Sequence, residues 1–189
     1  QPEGTISATI LVNQARDLFW KHGLKRITVE EICKEAGVSK MTFYRNFKNK
    51  TEIAEAVINR LFSESRFKYL QIMRKEEPFV DRVKKLMEFR SKEISGVSSE
   101  FMDDIHKEEF ASLTKLLEGF TEQSKKDVRE DFKRAQDDGE LKKDLNLNYV
   151  LLLIDDFAVK MRDPRMKLIF PSESDRYTAL ANHFFYGVM

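Results

Sequence analysis

Apolar residues recur along the chain at spacings of three and four, and a few glycines and prolines cut that pattern into segments. Leu11, Ala15, Leu18 and Phe19 share one face of a first helix predicted from about Thr5 to His22, and Gly23 stands where a left-handed cap would end it. "TVEE" from Thr28 reads as a capping box: the Thr28 hydroxyl takes a backbone N–H and Glu31 reaches back. Val29, Ile32, Cys33 and Ala36 then form the stripe of a short helix that Gly37 stops. Ser39 can cap a third helix whose inward side is Phe43 and Phe47. Asn49 and Glu52 open a fourth, with Ala54, Val57, Ile58, Leu61 and Phe62 as its stripe, running to about Met73.

Pro78 separates a fifth helix carrying Val80, Val83, Met87 and Ile94. "SGVSSE" at 95–100 breaks the pattern, and a short segment follows around Phe101 to Ile105. A long helix is predicted from about Phe110 to Asp137, with Leu113, Leu116, Leu117, Phe120, Val128, Phe132 and Ala135 inward. Gly119 inside it costs about 1 kcal/mol relative to Ala, so a kink or a close packing contact is expected there. Past Gly139, a helix from about Asn148 to Arg162 is apolar almost all round in its first half, which predicts burial on several sides. A loop with Pro164 and Pro171 leads to a last helix striped by Tyr177, Leu180, Ala181, Phe184 and Phe185. The expectation is an all-α fold of about nine helices without strands or internal repeats. Only 7 Gly and 4 Pro in 189 residues agree, being too few for the turns of an all-β chain.

Charge adds one asymmetry. Lys and Arg number 33 against 32 Asp and Glu overall, yet residues 1–50 hold nine basic and five acidic side chains. A basic head on a mildly acidic remainder suggests an anionic partner for the head, although an imbalance of this size is also common by chance. The single cysteine, Cys33, forms no internal disulfide and suits a reducing cytoplasm. No apolar run approaches the length of a membrane span, no signal-peptide pattern opens the chain, and a start at Gln1 suggests a trimmed chain. A cytoplasmic protein without a membrane partner is expected. "DDIHKEE" at 103–109 sets a histidine among carboxylates, where a solvated charge run is favoured over a metal site. His22 and His183 lie far apart, and no phosphate loop, nucleophile elbow or metalloprotease motif occurs. No catalytic residue, metal or cofactor is expected, and the chain does not read as an enzyme.

The chemistry concentrates in 28–50. A short helix, a tight glycine turn and a second short helix make a helix-turn-helix, in which the second helix enters the major groove and the first braces it. Phe43 and Phe47 turn inward, leaving Lys40, Met41, Thr42, Tyr44, Arg45 and Asn46 toward solvent or DNA. Hydroxyls and Tyr suit phosphates, Arg suits guanine, Asn suits adenine, and Met41 could meet a thymine methyl. Lys48 and Lys50 flank the start of the fourth helix, where free N–H groups and a cation converge on a phosphate. Two short helices with a glycine turn are also ordinary all-α packing, so residue order decides between the readings.

That order, "ISATILVNQARDLFWKHGLKRITVEEICKEAGVSKMTFYRNFKNKTEIAEAVI", closely resembles the N-terminal DNA-binding domain of the TetR family of transcriptional repressors, over about residues 6 to 60. "DGELKKDLN" is similar to the family's joint before its penultimate helix. The resemblance implies a phosphate contact at Thr28, recognition-helix contacts at Ser39, Lys40, Met41, Thr42, Tyr44, Arg45 and Asn46, and a phosphate-clamping lysine at Lys50. Met41 departs from the small residue usual in the family, which puts the base read there in question. Trp20 also replaces a small residue and is read as packing.

The family pattern further implies a helix-turn-helix domain at 1–50 and a helical effector-binding and dimerisation domain at 51–189. It implies a homodimer on palindromic double-stranded DNA, and a small effector in the central helices that moves the fourth helix and spreads the reading heads. Phe (15) and Met (7) are plentiful, which suits an adaptable apolar pocket. Pocket candidates are Phe62, Tyr69, Met87, Phe110, Leu117, Phe120 and Phe157, though such stripes are more often plain core. Interface candidates are Leu151, Ile154, Ala158, Leu180 and Phe184. Asp155 and Asp156 fall at an exposed helix edge, a pocket or an interface. The function expected is a ligand-responsive bacterial repressor; a helical ligand-binding or interaction protein of the same fold, without operator reading, stands as the alternative.

Overall fold

The computed structural model describes residues 3–95 and 97–188; Gln1, and one residue of the break at 95–100, lie outside them. Within these residues the chain is all-α, with ten α-helices, one 3-10 turn and no strand. The helices are α1 (Glu3–His22), α2 (Val29–Ala36), α3 (Lys40–Asn46), α4 (Lys50–Met73), α5 (Phe79–Glu93), α6 (Ser99–Ile105), α7 (Ala111–Asp137), α8 (Leu147–Arg162), α9 (Pro164–Ile169) and α10 (Glu173–Val188), with the 3-10 turn at Glu108–Phe110. Among the described residues no helix is long and apolar enough to cross a membrane.

The chain forms two compact units. One comprises the described residues of Gln1–Ser65 and Gly96–Phe120. In it α1 packs on α2, α3 and α6. Leu11, Ala15, Phe19, Ile32, Phe43, Ile53 and Leu113 are fully shielded from solvent. Leu18, expected on the inner face of α1, is only half-buried, and Val12 takes a place in the core. Trp20 does pack: its ring lies 4.9 Å from that of Phe101 on α6, and its carbonyl accepts from the Ser98 N–H at 2.9 Å.

The second unit comprises the described residues of Arg66–Ser95 and Thr121–Met189. Its core gathers Tyr69, Ile72, Met73, Phe79, Val83, Phe132, Ala135, Val150 and Phe185. Phe79 and Phe132 meet edge to face at 4.9 Å, a geometry aromatic quadrupoles favour. α10 packs on both α5 and α8.

Three expectations are corrected here. Pro164 starts a helix and does not lie in a loop: the Asp163 carboxylate accepts the Arg165 N–H at 2.8 Å, and proline is tolerated at the first helical position because its missing donor had no partner there. α8 is not buried on several sides, for only Val150 is fully buried, while Tyr149, Leu152 and Val159 are 55%, 54% and 60% exposed. A Cβ on Gly119 would meet nothing within 4 Å, so the close contact expected there is absent and α7 runs through without a break.

Candidate nucleic-acid interface and ligand cavity

The turn between α2 and α3 follows from local chemistry. The Thr28 hydroxyl accepts the Glu31 N–H at 3.2 Å, while the Glu31 carboxylate accepts the Thr28 N–H at 2.8 Å. At the other end Gly37 adopts φ 64°, its N–H reaching the Lys34 carbonyl while the Val38 N–H reaches that of Cys33. This is the paired closure that left-handed glycine permits. One residue later the Ser39 hydroxyl accepts the Thr42 N–H at 3.1 Å and starts α3. A helix is thus stopped and restarted within three residues.

Phe43 is fully buried and Phe47 nearly so, their rings 5.9 Å apart. α3 therefore presents its other face outward. Met41 is 82% and Tyr44 55% exposed, and Ser39, Lys40 and Arg45 are exposed beside them. Thr42 and Asn46 are half-buried, and the Asn46 amide donates to the Thr42 carbonyl at 2.7 Å, which ties it to the end of the helix. Lys40 is ion-paired with Glu30 of α2. Hydrogen bonding from Lys40 holds the Glu30 carboxyl below the usual carboxylate range, and both side chains are exposed. Such a pair is weak and easily exchanged for a phosphate.

Lys50 departs from expectation. Its ammonium points back into the reading head and donates to the carbonyls of Leu24, Lys25 and Ile27 at 2.9, 3.0 and 2.9 Å. An ammonium has three donors, so in this geometry all are occupied and none is left to clamp a phosphate. The Phe110 ring lies 5.9 Å away on a further side. Burial pushes this ammonium below the ordinary lysine value, opposed by the carboxylates of Glu109, Asp104 and Glu31. The lysine that remains exposed just before α4 is Lys48.

The same turn is gripped from its N–H side by a residue the sequence reading passed over. Asp104 of α6 is 5% exposed, and its carboxylate accepts the Lys25 N–H at 2.7 Å and pairs with Lys107. Burial raises its pKa, but the hydrogen bonds from Lys107 and the Lys25 N–H outweigh that and hold it below the ordinary value. A carboxylate 79 residues from its partner leaves no local sequence signal. "DDIHKEE" had marked it only as part of a charge run, and among the described residues no group of three or more His, Cys, Asp or Glu side chains is placed to hold a metal.

In the second unit a cavity of about 240 Å³ opens among α4, α5, α7, α8 and α10. Three pocket candidates line it, namely Tyr69, Met87 and Phe157. The other four belong to the first unit and line other surroundings: Phe62 and Phe120 stack at 3.9 Å, Phe110 is buried, and Leu117 is half-buried. Ile154 and Phe184, expected at an interface, line the same cavity. Of the remaining interface candidates Leu180 is buried, Leu151 half-buried and Ala158 exposed. The cavity's polar groups escaped the sequence reading, which sought apolar stripes. They are Arg66, Arg90, Ser124, Asp127 and Tyr177. Arg66 holds both oxygens of Asp127, at 2.7 and 3.0 Å, and the Tyr69 hydroxyl donates to Asp131 at 2.6 Å. Asp155, by contrast, pairs with Lys125.

Compared with known proteins, residues 11–57 match the family model "Bacterial regulatory proteins, tetR family". No curated protein matches the chain. Among solved structures, the regulatory protein TetR from Rhodobacter sphaeroides is 18% identical, with 97% of this chain and 100% of that one covered and a TM-score of 0.75. The fatty acid degradation regulator FadR from Bacillus halodurans is 14% identical, covering 96% of each chain with a TM-score of 0.74. A SmeT–triclosan complex is 16% identical over 96% of this chain and 91% of that one, with a TM-score of 0.72. At these identities the likeness is one of fold.

Proposed function

Residues 11–57 of this chain belong to the tetR family of bacterial regulatory proteins, and from that premise we propose a homodimeric transcriptional repressor whose hold on a palindromic operator is modulated by a small effector. One observation carries the reading: α3 is held from behind by buried Phe43 and Phe47 and offers Lys40, Met41, Tyr44 and Arg45 to solvent. Such a helix fits the major groove. Thr28, Ser39 and Tyr44 are assigned to phosphates, Arg45 and Met41 to base edges, with Thr42 and Asn46 beside them. At the start of α4 the phosphate is taken by the backbone N–H groups of the first turn and by the cation of Lys48, and Lys50 supports the turn behind. The functional division falls at 50/51, with effector binding and dimerisation in 51–189.

The cavity supplies the effector site, and one helix, α4, carries both Lys50 at its start and Tyr69 near its end. The fold relative solved with triclosan is a protein that holds a small apolar molecule, which agrees with this assignment. Dimerisation uses the outward face of α8, where Tyr149, Leu152 and Val159 lie exposed with Ala158 beside them. A two-fold protein is what a palindromic site requires.

Selection from a random or genomic duplex library tests the reading. The expected result is one enriched palindrome whose affinity falls steeply with salt, as neutralised phosphates release counterions. A dimer that prefers no sequence over random duplex overturns it.

A further inference from the structure

We infer that the effector is a small, mainly apolar molecule with a neutral or anionic hydrogen-bond-accepting head, seated with that head toward Tyr177 and Arg90, and that cations are excluded. This rests on the cavity's being an effector site. Its walls are chiefly apolar, with Met73, Phe132, Phe157 and Phe184 among them. At about 240 Å³ it falls below the roughly 300–1,000 Å³ of sites for drug-sized ligands.

The polar groups set the sign. Among the described residues Asp127 is the one carboxylate in the lining, and Arg66 engages both of its oxygens while Gln123 donates to one. A cationic ligand finds no carboxylate there that is not already neutralised, and the lining itself holds two guanidiniums, Arg66 and Arg90, against that one carboxylate. Glu93 and Asp131 pair with Arg90 and with Tyr69 and Arg134 and do not line the cavity. Tyr177 differs from Tyr69. Its ring touches Phe157 at 5.3 Å, and among the described residues nothing hydrogen-bonds its hydroxyl. That hydroxyl is a donor in a chiefly apolar lining, close enough to Arg90 and Glu93 to feel their charges, and burial pushes its pKa up to about 12, so it keeps its proton at neutral pH. A ligand acceptor placed there satisfies it, and a ligand lacking one leaves it unmet.

The test uses the full chain and three probes with one tail: octanol, octanoate and octylammonium, titrated by calorimetry and scored for release of selected operator DNA. The expected result is binding of the first two, with octylammonium at least about tenfold weaker, and a loss of roughly tenfold for octanol and octanoate in Tyr177→Phe, which keeps the ring contact. The melting temperature of the variant checks its fold, while the head-group series needs no variant at all. Octylammonium binding as tightly as octanoate overturns the ligand class and leaves the effector site standing. Failure of all three to bind, with operator binding intact, overturns both the ligand class and the assignment of the cavity.

Discussion

Gly23 and Gly37 both sit at positive φ, 80° and 64°, and both were legible in the sequence as stops. What the sequence did not distinguish is their surroundings. Around Gly37 a Cβ would meet nothing within 4 Å, whereas on Gly23 it would lie 2.9 Å from an Asp104 carboxylate oxygen and 3.1 Å from the Glu100 Cβ. Gly37→Ala is therefore expected to lose only the left-handed penalty, about 1–2 kcal/mol. Gly23→Ala should lose clearly more, because α6 must also shift, and urea midpoints of the two variants check the order. Asp104 itself carries a pH dependence. Its pKa is lowered on folding, so its contribution is complete above an unfolded value of about 3.9 and is lost as pH falls through the folded value. Asp104→Asn should thus be less stable near neutrality and show a flatter acid limb, read as urea midpoints between about pH 2 and about pH 6. The (i, i+3) spacing to Lys107 is local, but nothing in the sequence points from Asp104 to the Lys25 N–H, 79 residues away.

Among the elements, α2 and α3 were readable almost residue by residue, since caps and glycine turns are chemistry between near neighbours. The two faces of α3 make separate predictions. Phe43→Ala should cost about 3–5 kcal/mol and abolish DNA binding by unfolding the reading head. Tyr44→Ala should leave the circular dichroism and melting temperature unchanged, weaken operator binding, and lower the salt slope by about one if a phosphate contact is lost. A Tyr44→Ala protein with wild-type affinity would remove Tyr44 from the interface. α9 differs from the expected loop because Pro164 follows a capping residue, Asp163, and a proline so placed starts a helix and does not break one. Lys50 stands at the start of α4 and reaches back, and nothing in "NKTE" tells whether a lysine reaches outward or back to a turn 25 residues earlier.

For the whole molecule, helical periodicity was enough to give the class but could not divide core from interface. An apolar stripe says that water is to be excluded, without saying by which chain. Ile154 of α8 and Phe184 of α10 border the cavity, while Leu152 and Val159, also on α8, stay exposed. Leu152→Glu with Val159→Glu should therefore leave the chain folded and shift sedimentation from dimer to monomer. Operator affinity should fall by at least about a hundredfold as two linked half-site contacts become separate ones. A double variant that still sediments as a dimer would move the interface elsewhere.

The Lys50 anchor has a consequence for how this protein's history can be read. Its three acceptors are main-chain carbonyls, which every amino acid supplies. Apart from the packing of Leu24 and Ile27 themselves, a replacement at 24, 25 or 27 calls for no answering change at 50. Correlated substitution, the usual trace of contact between two positions, is silent about such a bond. Lys50 would show no covariation with 24, 25 or 27 in any set of related sequences, its hydrogen-bond partners there being the path of the chain and not side chains.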